Sequence, residues 1–146
     1  MRPTQVYSNT CNVLDAARQR VSFIFDNFED IKVSVSGGKD STVLAHLMLM
    51  EAKRRQRKIG VFFLDEEVVY QSTIDQVSWL IEDIAPDNVI PLWLQIEFDL
   101  TNSTSFEENH LTAWEPGKHE LWMRPKKSYA IKFAPWDREK QIIHDK

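Results

Sequence analysis

A short strand-like segment runs straight into two adjacent glycines and then into a long helical stretch, and this junction constrains the fold most. Ile31-Lys32-Val33-Ser34-Val35 alternates apolar with polar residues, as a half-buried strand does. Ser36-Gly37-Gly38 ends it. Ser41 to Lys58 then contains no Gly or Pro and consists of good helix formers. Only 4 of the 146 residues are glycine, under half of the roughly 7% of average usage, so the placement of the pair is informative.

The rest of the chain repeats the alternation. Leu14, Ala17, Val21, Ile24 and Phe28 recur at three- and four-residue spacings, which predicts a helix from about Thr10 to Phe28 with that face inward. Ser8, Asn9, Thr10 and Asn12 offer N-caps, and Asn27 sits near the end. In the second helix, Val43, Leu44, Leu47 and Met48 form the expected core stripe. Its last turns gather Lys53, Arg54, Arg55, Arg57 and Lys58 where a helix end is partially negative, which reads as a solvated, dipole-matched terminus. Val61-Phe62-Phe63-Leu64 is a continuous apolar run suited to a strand buried on both faces, and Asp65-Glu66-Glu67 ends it. A third helix is expected from about Tyr70 to Ile84, with Ile74, Val77, Ile81 and Ile84 on one stripe. A third strand follows over Asn88 to Leu94, where Pro91 points to an edge or an irregularity.

The order αβαβαβ implies parallel strands joined by right-handed crossovers, hence a three-layer α/β/α sandwich with a mainly parallel, Rossmann-like sheet. Residues 10–98 would form this core and 99–146 an irregular elaboration of one domain. Asp99 to Asn109 is polar and without periodicity, Trp114-Glu115-Pro116-Gly117 reads as a turn, Leu121-Trp122-Met123-Arg124 as a short strand, and Ser128 to Phe133 is ambiguous. The sheet is short or incomplete, and uncovered apolar surface on it favours a homo-oligomer or a protein partner.

Composition narrows the classes further. Apolar content of 42% is too high for disorder, and no stretch approaches the ~20 apolar residues of a membrane span. One cysteine, Cys11, excludes an internal disulfide. The polar segment Met1 to Thr10 lacks the apolar region of a secretory signal, so a cytoplasmic location is expected. A formal charge of −4 does not indicate a dedicated nucleic-acid binder, though a local basic site stays possible. His46, His110, His119 and His144 show no metal-ligand spacing.

Between a strand and a helix N-terminus, Ser36-Gly37-Gly38-Lys39-Asp40-Ser41-Thr42 has the makings of an anion site. Glycines let the backbone curl so that N–H groups point inward, and the positive end of the following helix favours phosphate. Ser36, Ser41 and Thr42 add hydroxyls and Lys39 a charge. The spacing is neither that of a Walker A loop nor that of the dinucleotide fingerprint. The string Ser-Gly-Gly-Lys-Asp-Ser-Thr resembles the pyrophosphate-binding loop of the PP-loop ATP pyrophosphatase superfamily, in the version of phosphoadenosine phosphosulfate (PAPS) reductases and ATP sulfurylase small subunits. Phe63-Leu64-Asp65 with Tyr70, and Trp114 to Lys118 with Leu121 to Pro125, are similar to segments of the immunoglobulin-binding regulator A-like subgroup, so the resemblance covers nearly the whole chain.

That resemblance implies an adenine nucleotide alpha hydrolase-like fold, binding of ATP or a related adenosine nucleotide with Mg²⁺, and attack at the α-phosphorus with pyrophosphate leaving. Ser36, Gly37, Gly38, Ser41 and Thr42 would hold the phosphates, with Lys39 at the rim. Asp40 would either cap the loop or meet phosphate through Mg²⁺. Asp65 would lie near the ribose or a metal. Arg124, Lys126 and Lys127 are candidates for a phosphate or an acidic acceptor, or else ordinary surface cations. Trp114, Trp122 and Trp136 would stack on a base or pack a satellite core. The chain departs from the family in having no cysteine after Cys11, which leaves thiol-driven sulfate reduction unsupported. Two functions therefore stand side by side: an enzyme acting at the α-phosphate, and a catalytically inactive nucleotide-binding regulatory module that works through a protein partner.

Overall fold

A computed structural model describes residues 11–101 and 106–132. The expectations that rest on Met1 to Thr10, on 102–105, and on Phe133, Trp136 and His144 lie outside the described residues. Three helices and three strands alternate as the sequence implies: α1 (Val13–Asn27), β1 (Lys32–Ser34), α2 (Lys39–Arg54), β2 (Ile59–Leu64), α3 (Gln71–Glu82) and β3 (Val89–Leu94). Asn12 caps α1, its side chain accepting from the Asp15 amide at 2.9 Å. Asn27 closes the helix by donating to the Phe23 carbonyl.

All three strands are parallel, in the order β1-β2-β3. Two right-handed crossovers that advance the same way along a sheet place α2 and α3 on one face, and α1 packs against α2. Val33, Ile59, Val61, Phe63, Val89 and Trp93 point into that helical layer and form one core with Phe25, Leu49, Val77 and Leu80. On the opposite face, Lys32 and Leu92 close over Gly60. A Cβ there would meet Lys32 Cγ and Leu92 Cδ1 at 2.9 Å. Lys32, Ser34 and Ile90 on that side are exposed. The described residues thus build two layers of the expected sandwich, a helical layer and a sheet.

Several details differ from the sequence reading. On α1 the buried residues are Val21 and Phe25, whereas Leu14 and Phe28 are exposed. On α2 the core face is Ala45, Met48, Leu49 and Ala52, and Val43 and Leu44 face outward. Helix α2 begins two residues earlier than expected and stops at Arg54. Gln56 there adopts φ +54, with its amide donating to Lys53 O and that of Arg57 to Ala52 O, the double bond of a Schellman turn.

The basic run is a solvated terminus only in part: Lys53, Arg54 and Lys58 are exposed, but two of its arginines turn back onto the protein. Arg55 binds Asp26 and Ser22, and Arg57 donates to the carbonyls of Phe25, Phe28 and Glu29, which ties the end of α1 to the end of α2.

Beyond β3 the chain is more ordered than its polarity suggests. The strands β4 (Phe98–Thr101) and β5 (His110–Ala113) form an antiparallel hairpin. Leu121 to Arg124 is not a strand; a 3-10 turn at His119–Leu121 leads into it. Among the described residues Ile131 adds one parallel bridge beside Leu94, so β3 is there an edge with one further contact, in keeping with Pro91. Among the described residues no helix is long and apolar enough to cross a membrane.

Candidate functional site

Parallel strands put their carboxyl ends along one edge, where open α/β sheets take ligands. Here that edge carries Ser36-Gly37-Gly38 after β1, Asp65-Glu66-Glu67 after β2 and Gln95 after β3.

Gly37 holds φ +74, and a Cβ there would lie 2.6 Å from Thr73 Cγ2 in the first turn of α3. Glycine is therefore required twice at this position, for the left-handed backbone and for the contact that seats the loop on α3. Ser36 and Ser41 shape the turn. The Ser36 amide donates to Ser41 Oγ at 3.1 Å, the two hydroxyls lie 3.1 Å apart, and Ser41 Oγ donates to the Gly38 carbonyl at 3.0 Å.

Gly38 is the N-cap of α2, and no side chain caps that helix. Its first-turn N–H groups have no intrahelical acceptor, and they carry the positive end of the helix dipole. Thr42 Oγ1, one turn in, is buried without a hydrogen-bond partner among the described residues. Lys39 and Asp40 are exposed, with no ion pair or hydrogen bond among the described residues. Internal capping by Asp40 is thus not what the structure shows.

Asp65 and Arg124 are placed otherwise than a ligand contact requires. Asp65 is 0% exposed. Its Oδ2 accepts from Trp93 Nε1 at 3.0 Å and Gln95 Nε2 at 2.9 Å, and its Oδ1 from the Glu67 amide at 3.0 Å. A buried carboxylate needs such donors, and at this burial it presents no open face to a ribose or a metal. Arg124 donates to the carbonyls of Glu67 and Val69, lies 3.8 Å from Asp65 Oδ1 and is 13% exposed, so its guanidinium is turned into the protein rather than toward a ligand.

Lys127 is pinned too, with Nζ on Ser78 and Glu82 and its amide on Gln95 Oε1. Lys127 and the Tyr129 hydroxyl together hold the Glu82 carboxyl below its usual range. Lys126 lies over the rings of Trp114 and Trp122 at 5.4 and 4.6 Å, where burial pushes its ammonium pKa down. Trp114 is fully buried and meets Trp122 edge-on, a satellite core rather than a base-stacking platform.

Glu67 and Gln95 escaped the sequence reading. The Glu67 carboxylate accepts from the amides of Trp114 at 2.5 Å and Met123 at 3.1 Å, and so fastens the C-terminal third to the end of β2. The available signal was chemical: three consecutive acids at the end of an apolar strand cannot all face water if a packed segment covers them. Among the described residues no group of three or more His, Cys, Asp or Glu could hold a metal ion.

No protein-family model and no solved structure matches the chain. It is 32% identical over 121 residues, 82% of its length, to the uncharacterized protein YbdN of Escherichia coli (strain K12). The chain spans 29% of that relative's length.

Proposed function

We propose that this chain binds an adenosine nucleotide, ATP or a PAPS-like molecule, at the Ser36–Thr42 loop, and cleaves or transfers at the α-phosphate with release of pyrophosphate. The observation that carries this reading is the seat of Gly37 against Thr73, which presents an uncapped α2 terminus to solvent. Backbone N–H groups at such a terminus are fixed in advance of the ligand and stabilise charge developing on a departing pyrophosphate without reorganising. The unpartnered Thr42 hydroxyl supports the same reading, since a buried hydroxyl without a partner costs free energy that a phosphate oxygen would offset.

Exposed, and without a partner among the described residues, Asp40 is the loop's acid for Mg²⁺, with the nucleotide's own phosphates supplying further ligands. The ion when bound would neutralise charge on the leaving group. On this reading the two layers described belong to a three-layer sandwich of the PP-loop, PAPS reductase-like superfamily.

Asp65 and Arg124 are both engaged inside the protein, which favours a second reading: a nucleotide-binding regulatory module without turnover that acts through a protein partner.

One experiment separates the two. The purified chain is incubated with ATP and Mg²⁺, and binding and pyrophosphate release are followed together. Release that is lost in Gly37→Val and Asp40→Ala supports the enzyme. Binding without release, abolished by Gly37→Val alone, supports the module, and absence of binding to ATP and to PAPS overturns both.

A further inference from the structure

We infer that the outer face of α2 is the contact between two copies of this chain. Ala45, Leu49 and Ala52 are completely buried against the rest of the core. At 3.6 residues per turn the opposite side of the helix carries Asp40, Val43, Leu47, Met50 and Arg54, spaced three, four, three and four residues apart. That spacing is the narrow seam by which one helix lies along another. Val43 is 59% exposed and Met50 49%, and Leu44 beside them is 47% exposed. Leu47, between them, is half-buried against the core, while Val43, Leu44 and Met50 stay exposed among the described residues.

The charges at the ends of the seam select the occupant. Asp40 opens it and Arg54 closes it. A second α2 laid antiparallel, with a twofold axis through Leu47, sets Asp40 of each copy against Arg54 of the other. The same operation sets Leu44 against Met50 of the second copy and brings the two Leu47 positions to the axis. Every contact then occurs twice, as an isologous interface requires. A parallel arrangement would instead set Asp40 on Asp40 and Arg54 on Arg54. Asp40 has no partner among the described residues, and its two oxygens can serve Arg54 of the second copy and the Mg²⁺ proposed above together. Arg54, 64% exposed, engages Glu51 through Nε and one terminal nitrogen, which leaves donors of its five for a second carboxylate.

Light scattering coupled to size exclusion tests this on the whole chain across a dilution series. The expected species has twice the 17.1 kDa chain mass. Val43→Glu and Met50→Glu, both at exposed positions that leave the core untouched, should each raise the dissociation constant by at least about 100-fold, because each buries an unpaired charge at the seam. Circular dichroism checks that helix content is unchanged. In a Cys11→Ser background, Leu47→Cys should cross-link to a dimer on oxidation. Asp40→Cys should not, since its copy lies about 14 helical residues or ~21 Å away. A monomer at all concentrations, a dimer indifferent to both glutamates, or cross-linking through position 40 rather than 47 overturns the inference.

Discussion

At Glu51 two arginines converge on one carboxylate. Arg54 donates through Nε and a terminal nitrogen, Arg55 through Nε, and the side chain is 15% exposed. Those bonds, Arg54's foremost, hold its pKa near 2, below its ordinary 4.5. A carboxylate depressed in the folded state stabilises fully above its unfolded value and loses that contribution as pH falls through the folded one. The denaturation midpoint should therefore drop between pH 4.5 and about 2, and Glu51→Gln should flatten the decline in that window. Titration of thermal melts checks this, and an unchanged pH profile in the variant would remove Glu51 from the account. Sequence could suggest the helical neighbours Glu51, Arg54 and Arg55, but not that Arg55 also reaches Asp26 on α1. Gly37 was legible, because a glycine pair between strand and helix has few other uses. Thr73, the residue Gly37 meets, was not, because 36 positions separate them and no local rule couples the two.

Among the elements, the helices came through from their period, β1 from the alternation of Ile31 to Val35 that runs into the glycine pair, and β2 and β3 from apolar runs between turn signals. Which face each helix buries did not. On α2 the large residues Val43, Leu44 and Leu47 made the conspicuous stripe, yet close approach to the sheet selects the small Ala45 and Ala52. The β4–β5 hairpin went unread because strands of 4 residues with mixed burial carry almost no period. The end of α1 depends on another element for its capping. Arg57, beyond α2, supplies donors to three carbonyls at 2.7, 2.8 and 2.6 Å and lies 5.1 Å from the Phe25 ring centre. Arg57→Ala should cost about 1.5–3 kcal/mol, the worth of charge-assisted bonds to carbonyls that water then partly replaces. Urea denaturation measures it; a loss below about 0.5 kcal/mol, the scale of an ordinary surface change, would show that the bonds contribute little.

Over the whole molecule, a buried polar junction fastens the C-terminal third to the α/β core. Glu67 at φ +62 and Trp114 at φ +54 both hold backbone conformations uncommon for such residues, and tertiary bonds keep them there. Glu67→Gln keeps the size but turns an amide NH₂ toward one of two backbone N–H donors. It should destabilise by about 2–3 kcal/mol, and loosen residues 114–124 first. Limited proteolysis and tryptophan fluorescence would report that release, and coincident loss of the core and the segment would show them to be a single unit instead. By itself the sequence determined the alternation of helices and parallel strands and the glycine turn between β1 and α2, because hydrophobic period and glycine placement are local properties of the chain. The tertiary structure alone decided that Asp65 and Arg124 face inward, that Glu67 and Gln95 join distant segments, and that α2 keeps an apolar outer face. A charged side chain's partners, and the side of a helix that meets a sheet, are set by residues far away in sequence.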